Sequence, residues 1–513
     1  MNGAQLALHA AADAGVEVCF ANPGTTEMEL VAAVDHVPSM RAVLGLFEGV
    51  VTGAADGYGR VTGRPALTLL HLGPGFANGI ANLHNARRAH TPVVNLIGDH
   101  ATWHLAADAP LTSDIGSLAR PVSRHVATVT SAAHAGRTVR EAVAAAVGPP
   151  SGVATVIIPQ DAAWGSAGVH DASAADSSNF SVDDDEIERA VQHLRADRRV
   201  ALVLGGVVRR PELMAAAAIQ AATDCAVWTD TFPAVIEQGA GIPRFESIPY
   251  FPEQAIDALA DVDVLLAFGT RAPVAFFGYQ HLGVSSLLPE AAEAHEIVPG
   301  GVRGHLGLDA LVAALDLDDA PAPVDPEPPT VPSGDLGVMT MGATIAALQP
   351  EGAIVVNEAA TSGLGWAVAS AGAPPHEAFS LTGGAIGMGL PAAVGAAVAA
   401  PDRKVIALQA DGSGMYTLQA LWTMARESLD VTVVVCANRA YRILQMELHR
   451  TGHDDAGPQA RALTDLSSPE PDWVALAKGF GVDGERVSTV DELRAGLERG
   501  LSAAGPYLVE ALL

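Results

Sequence analysis

The sequence predicts an α/β protein of three tandem, doubly wound domains, each built on a parallel sheet. Three observations lead to this. Short, continuous runs of apolar and β-branched residues alternate with Ala-rich stretches of helical length along the whole chain. Strands that are apolar on both faces belong to parallel sheets covered by helices on either side. Two stretches break the pattern: Gly168 to Glu186 is polar and acidic, and Asp316 to Asp335 is rich in Pro and Asp, both compositions of extended linkers. Finally, 513 residues give room for about three domains of roughly 150 residues. The linkers divide the chain into an N-terminal domain at 1–167, a central Rossmann-like domain at 187–315 and a C-terminal domain at 336–513.

In the first segment, Glu17 to Phe20, Ala66 to Leu70, Val93 to Ile97 and Val153 to Ile158 read as buried strands. In the second, Val200 to Leu204 and Val262 to Phe268 have the same character. In the third, Ala353 to Val356, Lys404 to Leu408 and Val431 to Val435 do. Between the last two lies a stretch expected to be helical from Thr417 (TLQALWTMARES).

Charge narrows the function. The chain carries 58 acidic and 29 basic residues, a net charge of −29. No basic field exists to replace phosphate counterions, so no nucleic-acid partner is expected. A bound phosphate would have to be held locally, by a metal or by backbone N–H groups. Cys19, Cys225 and Cys436 are far apart, odd in number and set in apolar runs, which predicts buried free thiols rather than disulfides or a zinc site. Met1 to Gln5 lacks a basic leader pattern, and the apolar stretch Ala385 to Ala400 is interrupted by Pro391. That stretch is too short for a membrane span, so a cytoplasmic protein with no membrane partner is expected.

The most informative region is Lys404 to Leu444. One strand runs into Asp411-Gly412-Ser413, and the next runs into Asn438. Parallel strands of a right-handed βαβ unit end on the same sheet edge, so Asp411 and Asn438 are expected side by side at the carboxyl edge, where open α/β sheets bind ligands. A carboxylate, an amide oxygen and a nearby carbonyl suit a hard octahedral cation whose other positions go to water and phosphate. Gly412 would admit a phosphate close to the backbone, and Ser413 would offer a hydroxyl. The competing reading is an ordinary βα turn with a helix cap.

Ala410-Asp411-Gly412-Ser413 through Ala437-Asn438 resembles the thiamine diphosphate motif, GDG followed by a spacer and NN. Ala410 and Ala437 depart from it, whereas Asp411 and Asn438 are kept. The chain is thereby similar to thiamine diphosphate-dependent 2-oxo acid decarboxylases and carboligases. The resemblance implies the thiamine diphosphate-binding fold for the first and third domains. It implies Mg²⁺ on Asp411, Asn438 and the carbonyl of Ala440. Thr382 to Ala393 resembles the segment that carries the aminopyrimidine ring. There Ile386 would wedge the coenzyme into its bent form and the Gly384 carbonyl would accept from the ring amino group. Thr361 would touch the diphosphate, and Tyr416, Tyr441, Arg442 and Ile443 would line the coenzyme and substrate cleft.

Glu48 sits in an apolar run, Leu46 to Tyr58, that fits a helix packed on all sides, and a carboxylate there needs a partner. By resemblance it pairs with N1′ of the aminopyrimidine as an acid–base group. Asn22-Pro23-Gly24-Thr25-Thr26-Glu27 also resembles the family, with Pro23 and Thr25 lining the coenzyme ring and substrate entrance. His71, after the strand Ala66 to Leu70, would handle protons near the reacting carbon. The family builds each site from the first domain of one subunit and the third of its neighbour, which implies a homodimer or homotetramer.

The resemblance is nearest to acetolactate synthase large subunits and to benzoylformate decarboxylase. Both reactions remove CO₂ from a 2-oxo acid. A decarboxylase then releases an aldehyde, whereas a synthase joins the fragment to a second 2-oxo acid. The middle segment is short and shows no flavin signature, so FAD is not expected. The second histidine of benzoylformate decarboxylase is out of register here, the nearest being His281. Arg442 could pair with a substrate carboxylate, and Arg442 and Glu447 would make a border too polar for a benzoyl group, so an acetolactate synthase-like enzyme is expected, with an aldehyde-releasing decarboxylase as the alternative. Two other classes stay open: a catalytically degenerate partner protein, which retention of Glu48, Asp411 and Asn438 opposes, and a plain nucleotide-binding Rossmann protein. The latter predicts G-x-G-x-x-G after an early strand, which Asn22-Pro23-Gly24 does not offer.

Overall fold

The computed structural model describes residues 1–168, 180–317, 320–323 and 326–513. Residues 169–179 of the first expected linker, and 318–319 and 324–325 of the second, lie outside them.

Three sheets form. In the first, six parallel strands run in the order Arg41–Leu44, Val18–Asn22, Ala66–Leu70, Val93–Asp99, Val153–Pro159 and His125–Thr128. The middle sheet has five parallel strands, ordered Glu246–Ser247, Ala226–Thr229, Val200–Leu204, Val264–Phe268 and Glu293–Val298. The third has eight: Asp483–Val487, Tyr507–Leu512, Val431–Ala437, Val405–Ala410, Ile354–Glu358, His376–Phe379, Val235–Gln238 and Val207–Val208.

Every apolar run read as a strand is one. Those without such a signature are mostly edge strands, such as Arg41–Leu44, Glu293–Val298 and Asp483–Val487. They need not be apolar on both faces. One departure is topological. Val207–Val208 and Val235–Gln238 come from the middle of the chain but extend the third sheet, and Val235–Gln238 pairs antiparallel with His376–Phe379. The graft is held by Arg209, whose Nε meets Glu377 Oε1 at 2.5 Å while Arg403 meets Oε2 at 2.7 Å. The middle helix Asp184–Arg195 also starts a little before 187.

The first and third sheets are clamped by two helices. Glu48–Thr62 is buried from Glu48 to Arg60, and Gly389–Ala399 from Gly389 to Val398. Small residues let their backbones touch: a Cβ on Gly395 would lie 1.9 Å from the Ala54 carbonyl oxygen. At the end of this contact Arg60 is buried against Asp56, with Nη2 2.8 Å from Oδ2 and Nε 3.0 Å from Oδ1. Its remaining protons go to Ala234 O, Ser380 O and Thr382 Oγ1, so one guanidinium joins all three segments. The three cysteines are buried and free, and burial pushes the Cys19 thiol up to about 12. Among the described residues no helix is long and apolar enough to cross a membrane.

Asp230 follows the middle-sheet strand Ala226–Thr229 and accepts from Thr270 Oγ1 at 3.0 Å. Burial pushes its carboxyl up to about 7. Because the folded value lies above the unfolded one (about 4), this group's contribution is fully present below pH about 4 and is lost as pH rises towards and through 7. Asp230→Asn should therefore raise Tm relative to the wild type more at pH 8 than at pH 5. An equal difference at the two pH values, by calorimetry, would refute the buried-carboxyl account.

Candidate active site

At the carboxyl edge of the third sheet, Ala410 pairs with Cys436, so the chain leaves both strands together. Arg439 N–H then donates to Asp411 Oδ2 at 2.7 Å, and Gly412 N–H to Oδ1 at 2.8 Å. Asn438 Oδ1 accepts from Ala440 N–H at 3.0 Å, and its amide donates to Ser362 Oγ at 3.3 Å. The two residues that the strand pattern placed together are thus joined through the Arg439 backbone. Burial pushes the Asp411 carboxyl up, while the Arg439 guanidinium is turned to Glu470 at 3.1 Å. A desolvated carboxylate beside an amide oxygen, each with lone pairs to spare, fits a hard divalent cation. Gly412 is required here: a Cβ would lie 2.6 Å from the Tyr441 ring.

Two details differ from expectation. The Ser413 hydroxyl points inward, receiving Gln409 Nε2 at 2.6 Å, because that buried amide needs an acceptor. The helix expected from Thr417 spans Ala420–Arg426, and Asp411–Gly414 forms a separate helical turn. Thr417 instead donates its hydroxyl to Gly387 O at 2.9 Å, tying the segment after the Asp411 turn to the Gly-rich loop.

That loop is pinned from both sides. Gly384 and Gly387 have φ of +72° and +96°, a backbone region that favours glycine. From below, the buried Glu358 accepts from Gly387 N–H (2.6 Å), Met388 N–H (3.1 Å) and Gly389 N–H (2.7 Å). It thereby satisfies donors at the start of helix Gly389–Ala399. Burial pushes the Glu358 carboxyl up, and these hydrogen bonds oppose that. From above, Asn85 grips Ala385 at both N–H and carbonyl, Asn82 donates to Gly387 O, and His84 Nε2 lies 3.1 Å from Gly383 O. Half-buried Ile386 therefore stands between two immobilised neighbours. Thr361 lies in the 3-10 turn Ala360–Gly363, beside the Ser362 that meets Asn438. Glu358 was not singled out from the sequence; a lone Glu closing an apolar strand was the available signal.

On the first sheet, Glu48 is the first residue of its helix rather than an interior one. It is buried and accepts from Asn78 Nδ2 at 3.0 Å. His71 is the N-cap of helix Leu72–Ala89. Its Nδ1 lies 2.8 Å from Oε2 of the fully buried Glu27. A carboxylate only accepts, so Nδ1 carries a proton, and in the neutral ring the lone pair is then on Nε2. Glu27 also takes Gly24 N–H at 2.8 Å and Thr26 Oγ1 at 2.5 Å. The threonine in this group is thus Thr26; Thr25 is exposed and Pro23 half-buried. Glu27 is a positioning residue that the sequence motif contained without marking. Among the described residues no hydrogen bond links Glu48 or His71 to Asp411 or Asn438.

Tyr441 leads into helix Arg442–Arg450. Arg442 is exposed and donates to Gln445 at 3.1 Å, and Ile443 is half-buried. Glu447, expected to border substrate, accepts from Tyr279 at 3.3 Å. Arg450 reaches Glu253 at 3.0 Å, and His281 lies 2.8 Å from the same carboxylate. These pairs dock the helix on the central domain.

Glu358→Ala would strand three buried N–H groups, at about 1–3 kcal/mol each. We expect a clear drop in Tm and weaker thiamine diphosphate binding, with Glu358→Gln intermediate. Thermal unfolding with and without the coenzyme checks this; an unchanged Tm in the Ala variant would mean that the loop does not depend on Glu358.

Residues 1–118 match the family described as thiamine pyrophosphate enzyme, N-terminal TPP binding domain, and residues 359–511 its C-terminal TPP binding domain. A Mycobacterium tuberculosis protein with the provisional name acetolactate synthase large subunit IlvX is 47% identical over 100% of this chain and 99% of its own length. Benzoylformate decarboxylase of Pseudomonas aeruginosa is 30% identical over 97% of this chain and 96% of its own. The solved thiamine diphosphate-dependent 4-hydroxybenzoylformate decarboxylase of Rhodococcus jostii RHA1 superposes with a TM-score of 0.86 at 26% identity, over 99% of this chain and 98% of that one. With both coenzyme-domain signatures in place on a shared fold, the chain belongs to the thiamine pyrophosphate-dependent enzymes, in the group that includes acetolactate synthases and benzoylformate decarboxylases.

Proposed function

We propose that this protein binds thiamine diphosphate through Mg²⁺, decarboxylates a 2-oxo acid and joins the product to a second 2-oxo acid, as in forming 2-acetolactate from two pyruvates. The observation that carries the coenzyme reading is the Asp411–Arg439–Asn438 junction, which gathers oxygen donors at one sheet edge. The bound coenzyme supplies the carbon nucleophile and the electron sink for loss of CO₂. Asp411, Asn438 and the Ala440 carbonyl hold Mg²⁺, and Gly412 leaves room for the diphosphate. Ile386, on its pinned loop, would support the coenzyme in a bent form, and Gly384 O would accept from its ring amino group. Thr361, Tyr416, Tyr441, Arg442 and Ile443 line the cleft. Glu48 holds a proton for the pyrimidine N1′, in a desolvated place suited to acid–base work.

Glu48 and Asp411 come from different copies of the chain in this reading, which makes the protein a homodimer or homotetramer in the cytoplasm. In support, exposed apolar side chains flank both halves: Leu46, two residues before Glu48, is 45% exposed, and Tyr416, three after Ser413, is 54% exposed.

A second reading, release of an aldehyde, is favoured by the His71–Glu27 pair. The other ring nitrogen of His71, Nε2, is not engaged by Glu27 and would relay the proton that an aldehyde product needs.

The deciding experiment incubates the protein with thiamine diphosphate, Mg²⁺ and either pyruvate or benzoylformate. Acetolactate supports the carboligase, and acetaldehyde or benzaldehyde supports the second reading. Coenzyme binding without turnover of either substrate, or of longer 2-oxo acids, would leave the degenerate partner and overturn the proposal. Glu48→Gln should bind the coenzyme yet lose about 10²–10⁴-fold in kcat; wild-type turnover in that variant would remove Glu48 from proton transfer.

A further inference from the structure

Far from the coenzyme motifs in sequence, the central domain places two imidazoles and a carboxylate together. Glu293 and His295 are two residues apart on the strand Glu293–Val298, the edge of the middle sheet, and so share a face. His193, in the last turn of helix Asp184–Arg195, meets them. One ligand atom from each lies within 4.8 Å of the other two, and the imidazole centroids are 5.1 Å apart. His295 Nε2 is buried without a hydrogen-bond partner; Glu293 Oε2, at 3.6 Å, is beyond reach.

Arg198 shows what the cluster attracts. Its Nη2 donates to Glu293 Oε1 at 2.8 Å, and its Nη1 lies 3.2 Å from His193 Nδ1. A guanidinium can only donate, so His193 Nδ1 presents a lone pair to a cation already shared with Glu293.

We propose that His193, Glu293 and His295 form a metal site for a borderline divalent cation of the Zn²⁺ class, taken up in exchange for the Arg198 guanidinium. Two nitrogens and one carboxylate oxygen favour such an ion over Mg²⁺ or Ca²⁺, which prefer all-oxygen shells. Three protein ligands leave a further position for water. The bound ion clips the end of the helix to the sheet edge and stabilises the central domain by mass action. The assignment is independent of the coenzyme reading, whose ligand set is all oxygen.

The test uses the full chain, stripped with EDTA and supplied with thiamine diphosphate and excess Mg²⁺, then titrated with Co²⁺. We expect one nitrogen-ligated Co²⁺ per chain, with visible d–d absorption. That band should be lost in His295→Ala and in Glu293→Gln, and should appear at several-fold lower Co²⁺ in Arg198→Ala, where the competing cation is gone. Zn²⁺ should raise Tm in the wild type and not in His295→Ala. No visible band in the wild type, or a band and affinity unchanged in both His295→Ala and Glu293→Gln, would overturn the site. The two variants sit on an exposed edge strand, and metal-free Tm values confirm that they fold.

Discussion

The contact between helices Glu48–Thr62 and Gly389–Ala399 is what the remainder of the structure rests on. Two helices can lie this close only where side chains are nearly absent, and Gly395 against Ala54 meets that condition. The close approach excludes water from both helices along most of their length. The residues at their starts, Glu48 on one and the Gly387–Gly389 turn on the other, are then held by buried frameworks rather than by loops. A functional group built on such elements keeps its geometry better than one on a mobile segment.

Buried polar groups then do the fine positioning. Arg60, Glu27 and Glu358 are each removed from water and each has several partners. Burial of a charge is tolerated only when its hydrogen bonds are satisfied, so each of these residues selects one arrangement of the backbone around it. Arg60 sets how the three segments meet, Glu27 sets the tautomer of His71, and Glu358 sets the path of the Gly-rich loop.

The central domain is bound into this scheme rather than appended to it. Two of its strands extend the C-terminal sheet, and Tyr279 and Glu253 hold the helix that follows Tyr441. Glu447 and Arg450 serve this docking.

The sequence alone determined whatever depends on neighbours along the chain. Apolar runs specify strands because a two-sided buried strand tolerates little else. The order of strand, Asp411, helix, strand and Asn438 places both residues on one edge because parallel crossovers have one handedness. The surroundings of Cys19, Cys225 and Cys436 mark them as buried thiols. Tertiary structure decided what depends on partners remote in sequence. It showed that Thr26 rather than Thr25 joins Glu27 and His71. It showed that Ser413 turns inward, that Glu358 anchors a loop some thirty residues on, and that Val235–Gln238 crosses to another sheet. A side-chain oxygen carries no local sign of which donor will reach it; that choice is made only when packing brings distant segments within about 3 Å.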